Sequence, residues 1–167
     1  MLGKRSGLSM YTTDPFVSRR RMSRHFGAVD SFDPVAQDAD LEAAVRKATS
    51  GRGADIVIVA ASAPGIAAQA VRCSRPGSRI MLFAQTSDTE RIEISGAAIC
   101  KDERQLLGVY SASVDLQKES ADLVFSGELP VSELISHRYP LDRICEGIER
   151  ALHPDEESLK IVVQPQI

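Results

Sequence analysis

Asp14 stands between a short apolar run, Met10-Tyr11-Thr12-Thr13, and a proline, Pro15. A strand that ends on an acid and turns at once into a helix presents that acid at its tip. In a doubly wound α/β sheet, an acid in that place accepts the ribose hydroxyls of a dinucleotide. The same residue type also caps turns before proline, so on pattern alone both roles stand. Arg19, Arg20, Arg21 and Arg24 follow. Guanidinium groups bind phosphate well, but such a run on a helix ordinarily forms a solvated face, leaving Arg19 as the candidate ligand partner. Ser111 and Ser113 have hydroxyls without a base placed by sequence, which excludes a nucleophile reading. His25, His137 and His153 lack a paired Cys or carboxylate at metal-ligand spacing. His137, in the run His-Arg-Tyr-Pro, fits either a cofactor-side residue or an ordinary strand-end histidine.

The elements that position Asp14 alternate between strand and helix. A short strand over 8–13 leads into a helix over 16–26, with Phe16, Val17, Met22 and Phe26 on one face and the arginines outward. Gly27 closes that helix. A brief strand at 28–32 follows. Asp38 and Asp40 then offer caps to a helix over 41–49, which Gly51-Arg52-Gly53 stops. The run Asp55-Ile56-Val57-Ile58-Val59-Ala60-Ala61 has no polar alternation and reads as a strand buried on both faces. A small-residue helix to about residue 74, with Pro64 in its first turn, leads to a turn at 75–78 and a strand at 79–84. Arg91-Ile92-Glu93-Ile94 alternates like an edge strand. A helical turn at 96–101, a strand at 105–110, a helix at 114–125 ended by Gly127, a strand at 134–139, a helix at 141–152 and a strand at 159–164 complete the chain. Leu141, Ile144, Cys145, Ile148 and Leu152 form one apolar stripe of the last helix, so Cys145, like Cys73, reads as a core residue.

Alternating strands and helices with short loops predict an α/β fold with a mostly parallel, doubly wound sheet and helices on both faces. Ligands of such sheets sit at the carboxyl ends of the strands. Here those ends are Asp14, Ala60-Ala61-Ser62, Phe83-Ala84-Gln85 and Val109-Tyr110-Ser111.

Composition is compatible with this. The 167 residues carry 43% hydrophobic and 26% charged side chains with no Trp, an Ala, Val, Ile and Leu filling that suits a covered parallel sheet. A net charge of −3 argues against a nucleic-acid or acidic-membrane partner. The basic, acid-poor start shares its composition with transit peptides, but Asp14-Pro15 breaks any single amphipathic helix there. No apolar run reaches membrane-spanning length. Three widely separated cysteines suggest no disulfide framework and fit a reducing cytoplasm.

In this order, the runs TTDPFVSRRRMSRHFGAVDSFDP, GRGADIVIVAASAPGIAAQAVRCSRPGSRIMLFAQ, LLGVYSASVDLQKESADLVFSGELPVSELISHRYPLDRICEGIERAL and LKIVVQP resemble the C-terminal half of the zinc-containing, medium-chain alcohol and polyol dehydrogenases. The resemblance, closest to the sorbitol and threonine dehydrogenase kind, covers nearly the whole chain. It implies a Rossmann-like nicotinamide-binding domain and NAD-linked oxidation of a CH–OH group. Asp14 matches the acid on the adenosine ribose, which favours NAD because it repels the 2′-phosphate of NADP. Arg19 matches a basic position beside that ribose. Ala61 and Ser62 match the turn passing the riboses, while Phe83, Ala84 and Gln85 match the strand end at the nicotinamide. Lys160 matches a basic position near the pyrophosphate.

The chain departs from the family at its start. No G-x-G-x-x-G turn is present, and residues 1–7 match only the tail of the helix that follows it, so the first βα unit is lacking. The zinc-binding catalytic domain has no counterpart either. The resemblance therefore implies an N-terminally truncated chain, with a partial NAD(P)-binding domain at 1–152. At 153–167 lies a strand segment that in the family belongs to the absent domain. Zinc is expected only on that domain. The expectation is little or no turnover by this chain alone, and an exposed sheet edge that promotes association. As a non-catalytic alternative, a Rossmann remnant would serve as a binding or oligomerisation module through the edge at 92–94, as a homo-oligomer or with a complementing subunit.

Overall fold

Every described strand pairs in parallel, in ladders of two, three and two strands. The structure, a computed structural model, describes residues 1–36, 40–111 and 113–165. The predicted cap Asp38 lies outside the described residues. The chain divides into two compact units, one of Met1–Ala39 with Ser113–Ile167, the other Asp40–Ala112. Parallel strands alternating with helices are the expected Rossmann-like α/β class.

In the first unit, the short helix α1 (Leu2–Arg5) precedes β1 (Tyr11–Thr13), α2 (Val17–His25) and β2 (Asp30–Phe32). Gly27 at φ 98° ends α2 as its position predicts. Tyr11 is in register with Asp30 and Thr13 with Phe32. The Tyr11 and Phe32 rings stack at 6.1 Å. Hydroxyls join α2 to this ladder: Thr12 Oγ1 lies 2.6 Å from Ser23 Oγ and 2.8 Å from the buried Ser31 Oγ.

Later in the same unit come helix α6 (Val114–Phe125), a 3-10 turn at Val131–Leu134, β6 (Ile135–Tyr139), a second 3-10 turn at Leu141–Arg143, α7 (Ile144–Leu152) and β7 (Lys160–Val163). The pairing of β7 with β6 gives the last strand a partner within this chain. The expected inward stripe of α7 fails. Leu141, Ile144, Cys145, Ile148 and Leu152 are all exposed, and the helix docks through Gly147, which sits against the Tyr139 ring. A small residue lets the helix approach the strand closely, so its larger apolar residues end up on the outer side.

The second unit holds α3 (Leu41–Ala48), β3 (Ala54–Val59), α4 (Ile66–Cys73), β4 (Ser74–Leu82), α5 (Gly96–Cys100) and β5 (Gln105–Gly108). Asp40 caps α3, accepting the Ala43 N–H at 2.9 Å. Pro64 precedes the N-cap Gly65 and is not in the first turn of α4. The predicted turn at 75–78 is absorbed into β4, where the ladder with β3 shifts register between Ala54 and Ile56. Val59, Ala70, Val71, Ile80 and Ala98 form the core, with Val57, Leu82, Ile94 and Leu106 against it. Burial of each large side chain here contributes about 1.5–3 kcal/mol.

The strand expected to be buried on both faces is buried on one. Val57 and Val59 face the helical layer, while Ile56 and Ile58 remain 56% and 52% exposed. Alternation is set by the pleat, and covering one face with a helix leaves the next residue on the other. The predicted edge strand at 91–94 is also absent. Those residues have no ladder partner, and their apolar alternation reflects Ile94 turning inward onto the core.

Candidate functional site

Asp14 lies just past β1, and its N–H donates to Phe32 O at 3.2 Å, which extends the ladder by one step. Its Oδ1 accepts the N–H of Phe16 at 2.9 Å. That bond turns the chain into α2, whose N-cap, Phe16, has no side-chain acceptor of its own. The turn role therefore occupies one carboxylate oxygen. Oδ2 has the Arg19 Nη1 at 3.9 Å, and the side chain keeps 28% of its surface exposed. One oxygen fixes the loop and the other can take a hydroxyl.

Arg19 is held on several sides. Nε and Nη2 donate to the carbonyl of Ser158 at 3.1 and 2.7 Å. The guanidinium also lies over the Phe16 ring, 4.6 Å from its centroid. The arginines expected to point outward divide. Arg21 is exposed, but Arg20 is not a solvated side chain. Its Nη1 donates to Asp14 O at 2.6 Å and Pro15 O at 2.7 Å, and it pairs with Asp33 at 3.0 Å. Carbonyls at a strand tip, beyond the last ladder bond, need donors, and Arg20 supplies them. Arg24 does the same for β2, donating to Asp30 Oδ1 at 2.9 Å and Ser31 O at 2.8 Å. The Ser31 N–H and then Arg24 hold the Asp30 carboxyl below its ordinary value.

A second tier supports Ser158. Its Oγ donates to Asp155 Oδ1 at 2.7 Å, and that oxygen also accepts the Glu157 N–H at 3.0 Å. Arg150 Nη1 donates to Asp155 Oδ2 at 2.7 Å and to His137 Nε2 at 3.1 Å. Arginine has only donors, so Nε2 accepts and the His137 proton sits on Nδ1, facing Ser136 Oγ at 3.0 Å. His137 thus has structural partners on its own strand and on α7. Ser18 Oγ adds a bond to the Glu156 carbonyl. Sequence reasoning missed Asp155, Ser158 and Arg150. The available signal was the Asp-x-x-Ser spacing of a side-chain-capped turn.

Lys160 opens β7 as an exposed side chain in register with Ile135. Ala61, Ser62, Phe83, Ala84 and Gln85 belong to the second unit. Ala61 and Ser62 follow β3, and Phe83 to Gln85 follow β4 at the same end of a parallel pair, in which Val59 faces Leu82. The Phe83 and Ala84 N–H groups both donate to Val59 O, at 3.0 and 2.9 Å, so the two strand ends are bonded together. Ala61, Ser62, Phe83 and Gln85 are exposed. A cavity of about 250 Å³, lined by Gly65, Ala67, Ala68 and residues 90–93, includes none of these positions.

Among the described residues, no group of His, Cys, Asp or Glu could hold a metal ion, and no helix is long and apolar enough to cross a membrane. The described side chains do not fit a zinc centre. They do include a part-exposed carboxylate, Asp14, at the tip of a parallel strand with the Arg19 guanidinium beside it, the residue type that receives ribose hydroxyls in such sheets.

A family model described as zinc-binding dehydrogenase matches residues 1–126. The (R,R)-butanediol dehydrogenase of Neisseria gonorrhoeae is 25% identical over 166 residues, covering 98% of this chain and 46% of that protein. A zinc-binding dehydrogenase of Sinorhizobium meliloti solved bound to NADP superposes with a TM-score of 0.82 at 25% identity, covering 98% of this chain and 47% of that one. An alcohol dehydrogenase of Escherichia coli CFT073 solved with NADH superposes with a TM-score of 0.80 at 19% identity, covering 96% of this chain and 46% of that one. The chain spans about half the length of the proteins it matches.

Proposed function

We propose a function from one premise: the chain belongs to the zinc-binding dehydrogenase family. Its role is to supply the dinucleotide-binding portion of an NAD-linked alcohol or polyol dehydrogenase. The observation that carries this reading is the part-exposed Asp14 carboxylate at a strand tip, its Oδ1 fixed by the Phe16 N–H and its Oδ2 beside the Arg19 guanidinium. That carboxylate accepts the adenosine ribose hydroxyls, and its charge disfavours a 2′-phosphate. Family neighbours have been solved with either cofactor, so the choice rests on this chain's own residues. Ala61, Ser62 and residues 83–85 contribute the ribose and nicotinamide end, and Lys160 a point charge for the pyrophosphate. In this reading residues 1–152 form the cofactor domain and 153–167 the strand shared with a catalytic domain, and the protein works in the cytoplasm.

A nicotinamide dinucleotide held by these residues would supply a hydride acceptor for a CH–OH carbon. This chain contributes binding and orientation. Its described residues supply no zinc ligands, and no step through zinc is assigned to them. Little or no substrate turnover by the chain alone is the expected outcome. Calorimetric titration of the purified protein with NAD tests the reading. A Kd tighter than about 1 mM supports it, and no heat at several times that concentration overturns it. Robust oxidation of an alcohol by this chain with NAD and zinc would overturn the assignment of a binding role alone.

A second reading, an associating module without turnover, is favoured by the uncovered apolar residues Ile56 and Ile58 and by Phe125, 87% exposed at the end of α6. Sedimentation distinguishes it, giving a discrete oligomer that ignores NAD.

A further inference from the structure

Ser136 is the extra residue where the β6–β7 ladder shifts register, between the pairs Ile135–Lys160 and His137–Ile161. Its hydroxyl fills the gap this leaves, accepting the Leu159 N–H at 2.9 Å and donating to the Lys160 carbonyl at 3.2 Å. With that proton committed, Ser136 Oγ can only accept from His137 Nδ1, at 3.0 Å. On the other side of the ring, Arg150 of α7 donates to Nε2 at 3.1 Å and, from the same Nη1, to Asp155 Oδ2 at 2.7 Å. The bonds run in one direction, from Arg150 through the imidazole and the Ser136 hydroxyl to the backbone of β7, and they require a neutral His137. We propose that His137 is a proton-operated latch: neutral, it ties the last turn of α7 and the start of β7 to β6, and a second ring proton releases α7.

Arginine has no acceptor, so Arg150 cannot adjust to a donor on Nε2 as a hydroxyl could. Protonation sets one N–H against another and adds a like-charge pair. Arg150 keeps its bond to Asp155, so the contact that opens is the one between α7 and β6. The other charged groups around β6 are engaged elsewhere or exposed. On α7, Glu146 holds Arg143 and Glu149 faces His153 at 3.5 Å. Glu133, in the 3-10 turn before β6, lies 2.7 Å from His25 Nε2. Arg138 on β6, Asp142 in the turn after it, Glu156 and Glu157 in the loop, and Lys160 on β7 are exposed. Because the closed form holds His137 neutral, acid favours the open one. The latch stands independently of the dinucleotide reading.

Ring-nitrogen spectra and amide hydrogen exchange of the full chain, from about pH 8 to about pH 5, test the latch over the range in which histidines change charge. At the upper end the His137 proton is on Nδ1 and Nε2 is bare. As the second proton is taken up, the protection factors of the α7 amides at 149–152, corrected for the intrinsic pH dependence of exchange, fall at least about fivefold, the loss of one ordinary hydrogen bond. His137→Gln offers Arg150 an acceptor that does not titrate, and its α7 protection stays level over the same range. His25→Gln and His153→Gln keep the wild-type response. A ring proton found on Nε2 at the upper end overturns the latch without any variant being needed. So does α7 protection that stays level across the series in the wild type. A fall of the same size in His137→Gln assigns the effect to another group and overturns it as well.

Discussion

Gly53 lies so close to Ser74 that a Cβ added to it would come within 3.0 Å of the Ser74 carbonyl carbon and of the Arg75 nitrogen. This approach brings the end of α3 onto the start of β4. The Gly53 N–H donates to Thr49 Oγ1 at 2.8 Å, and Ala54 then pairs with Ser74. With φ at 89°, the position needs glycine for its conformation as well as for space.

Gly53→Ala is therefore expected to cost more than conformational strain, which is about 1–3 kcal/mol for such a residue. Gly51 provides the comparison, since its φ is 84° but its Cβ would meet open space. Gly51→Ala should lose only the strain, and Gly53→Ala at least about 1 kcal/mol more, because backbone atoms have to move. Urea unfolding of the two variants measures the difference. Equal midpoints would show that the Ser74 contact relaxes freely.

The local grammar of the chain was legible, and the packing was not. The α6 boundaries, the Gly27 and Gly127 stops and the Asp40 cap follow from residues within a few positions of one another. Such signals act over one helical turn and survive whatever surrounds them. Asp14 was legible for the same reason, since its turn closes on Phe16. The periodicity of Ile56-Val57-Ile58-Val59 shows an apolar strand without saying whether a second layer covers it, and only one face is covered. The α7 stripe misled for a related reason, because the docking face was chosen by Gly147, which contributes nothing to an apolar pattern. The bonds from Arg19 to Ser158 span 139 positions, so no local pattern could show that Arg19 is already occupied.

Cysteine reactivity should separate a residue that packing placed correctly from one it did not. Cys73 is buried, and desolvation pushes its thiol up to about 11, so it carries almost no thiolate near neutral pH. Cys100 and Cys145 are exposed. Brief alkylation of the native protein followed by peptide mass spectrometry should label Cys100 and Cys145 and spare Cys73 until urea is added. Labelling of Cys73 at the rate of the other two in native buffer would show that this part of the core opens.

Asp14→Asn isolates the charge from the turn. The amide oxygen still accepts the Phe16 N–H, so α2 keeps its start and stability changes by less than about 1 kcal/mol. The hydroxyl-accepting carboxylate is lost, and NAD affinity falls about tenfold, the size of a hydrogen bond to a charged group. NADP is weakened less, because the repulsion of its 2′-phosphate is removed together with the acceptor. Calorimetry with both dinucleotides checks the pair. A variant that binds NAD as the wild type does would remove Asp14 from the site.

Asp155 gives the loop that presents the Ser158 carbonyl to Arg19 a dependence on pH. The Ser158 hydroxyl is the main cause holding its carboxyl below the ordinary 3.8, with the Glu157 N–H and Arg150 adding to it against partial desolvation. A carboxyl depressed on folding contributes stability that is complete above its unfolded value and is lost as pH falls through the folded one. Near neutral pH, Asp155→Asn should melt below the wild type. As pH is lowered from about 4 toward 2, the wild-type carboxylate protonates and the two melting curves converge. The bonds from Ser158 and Glu157 weaken in the same window, so the Arg19 Nε–H should begin to exchange faster there in the wild type. In Asp155→Asn it should exchange fast throughout. Because the group is exposed, salt screens the Arg150 contribution, and the effect at high salt narrows to the two hydrogen-bonded partners. Melting curves that stay parallel down to the lowest pH would show that Asp155 ionises as it does in the unfolded chain, and that the loop is held by something else.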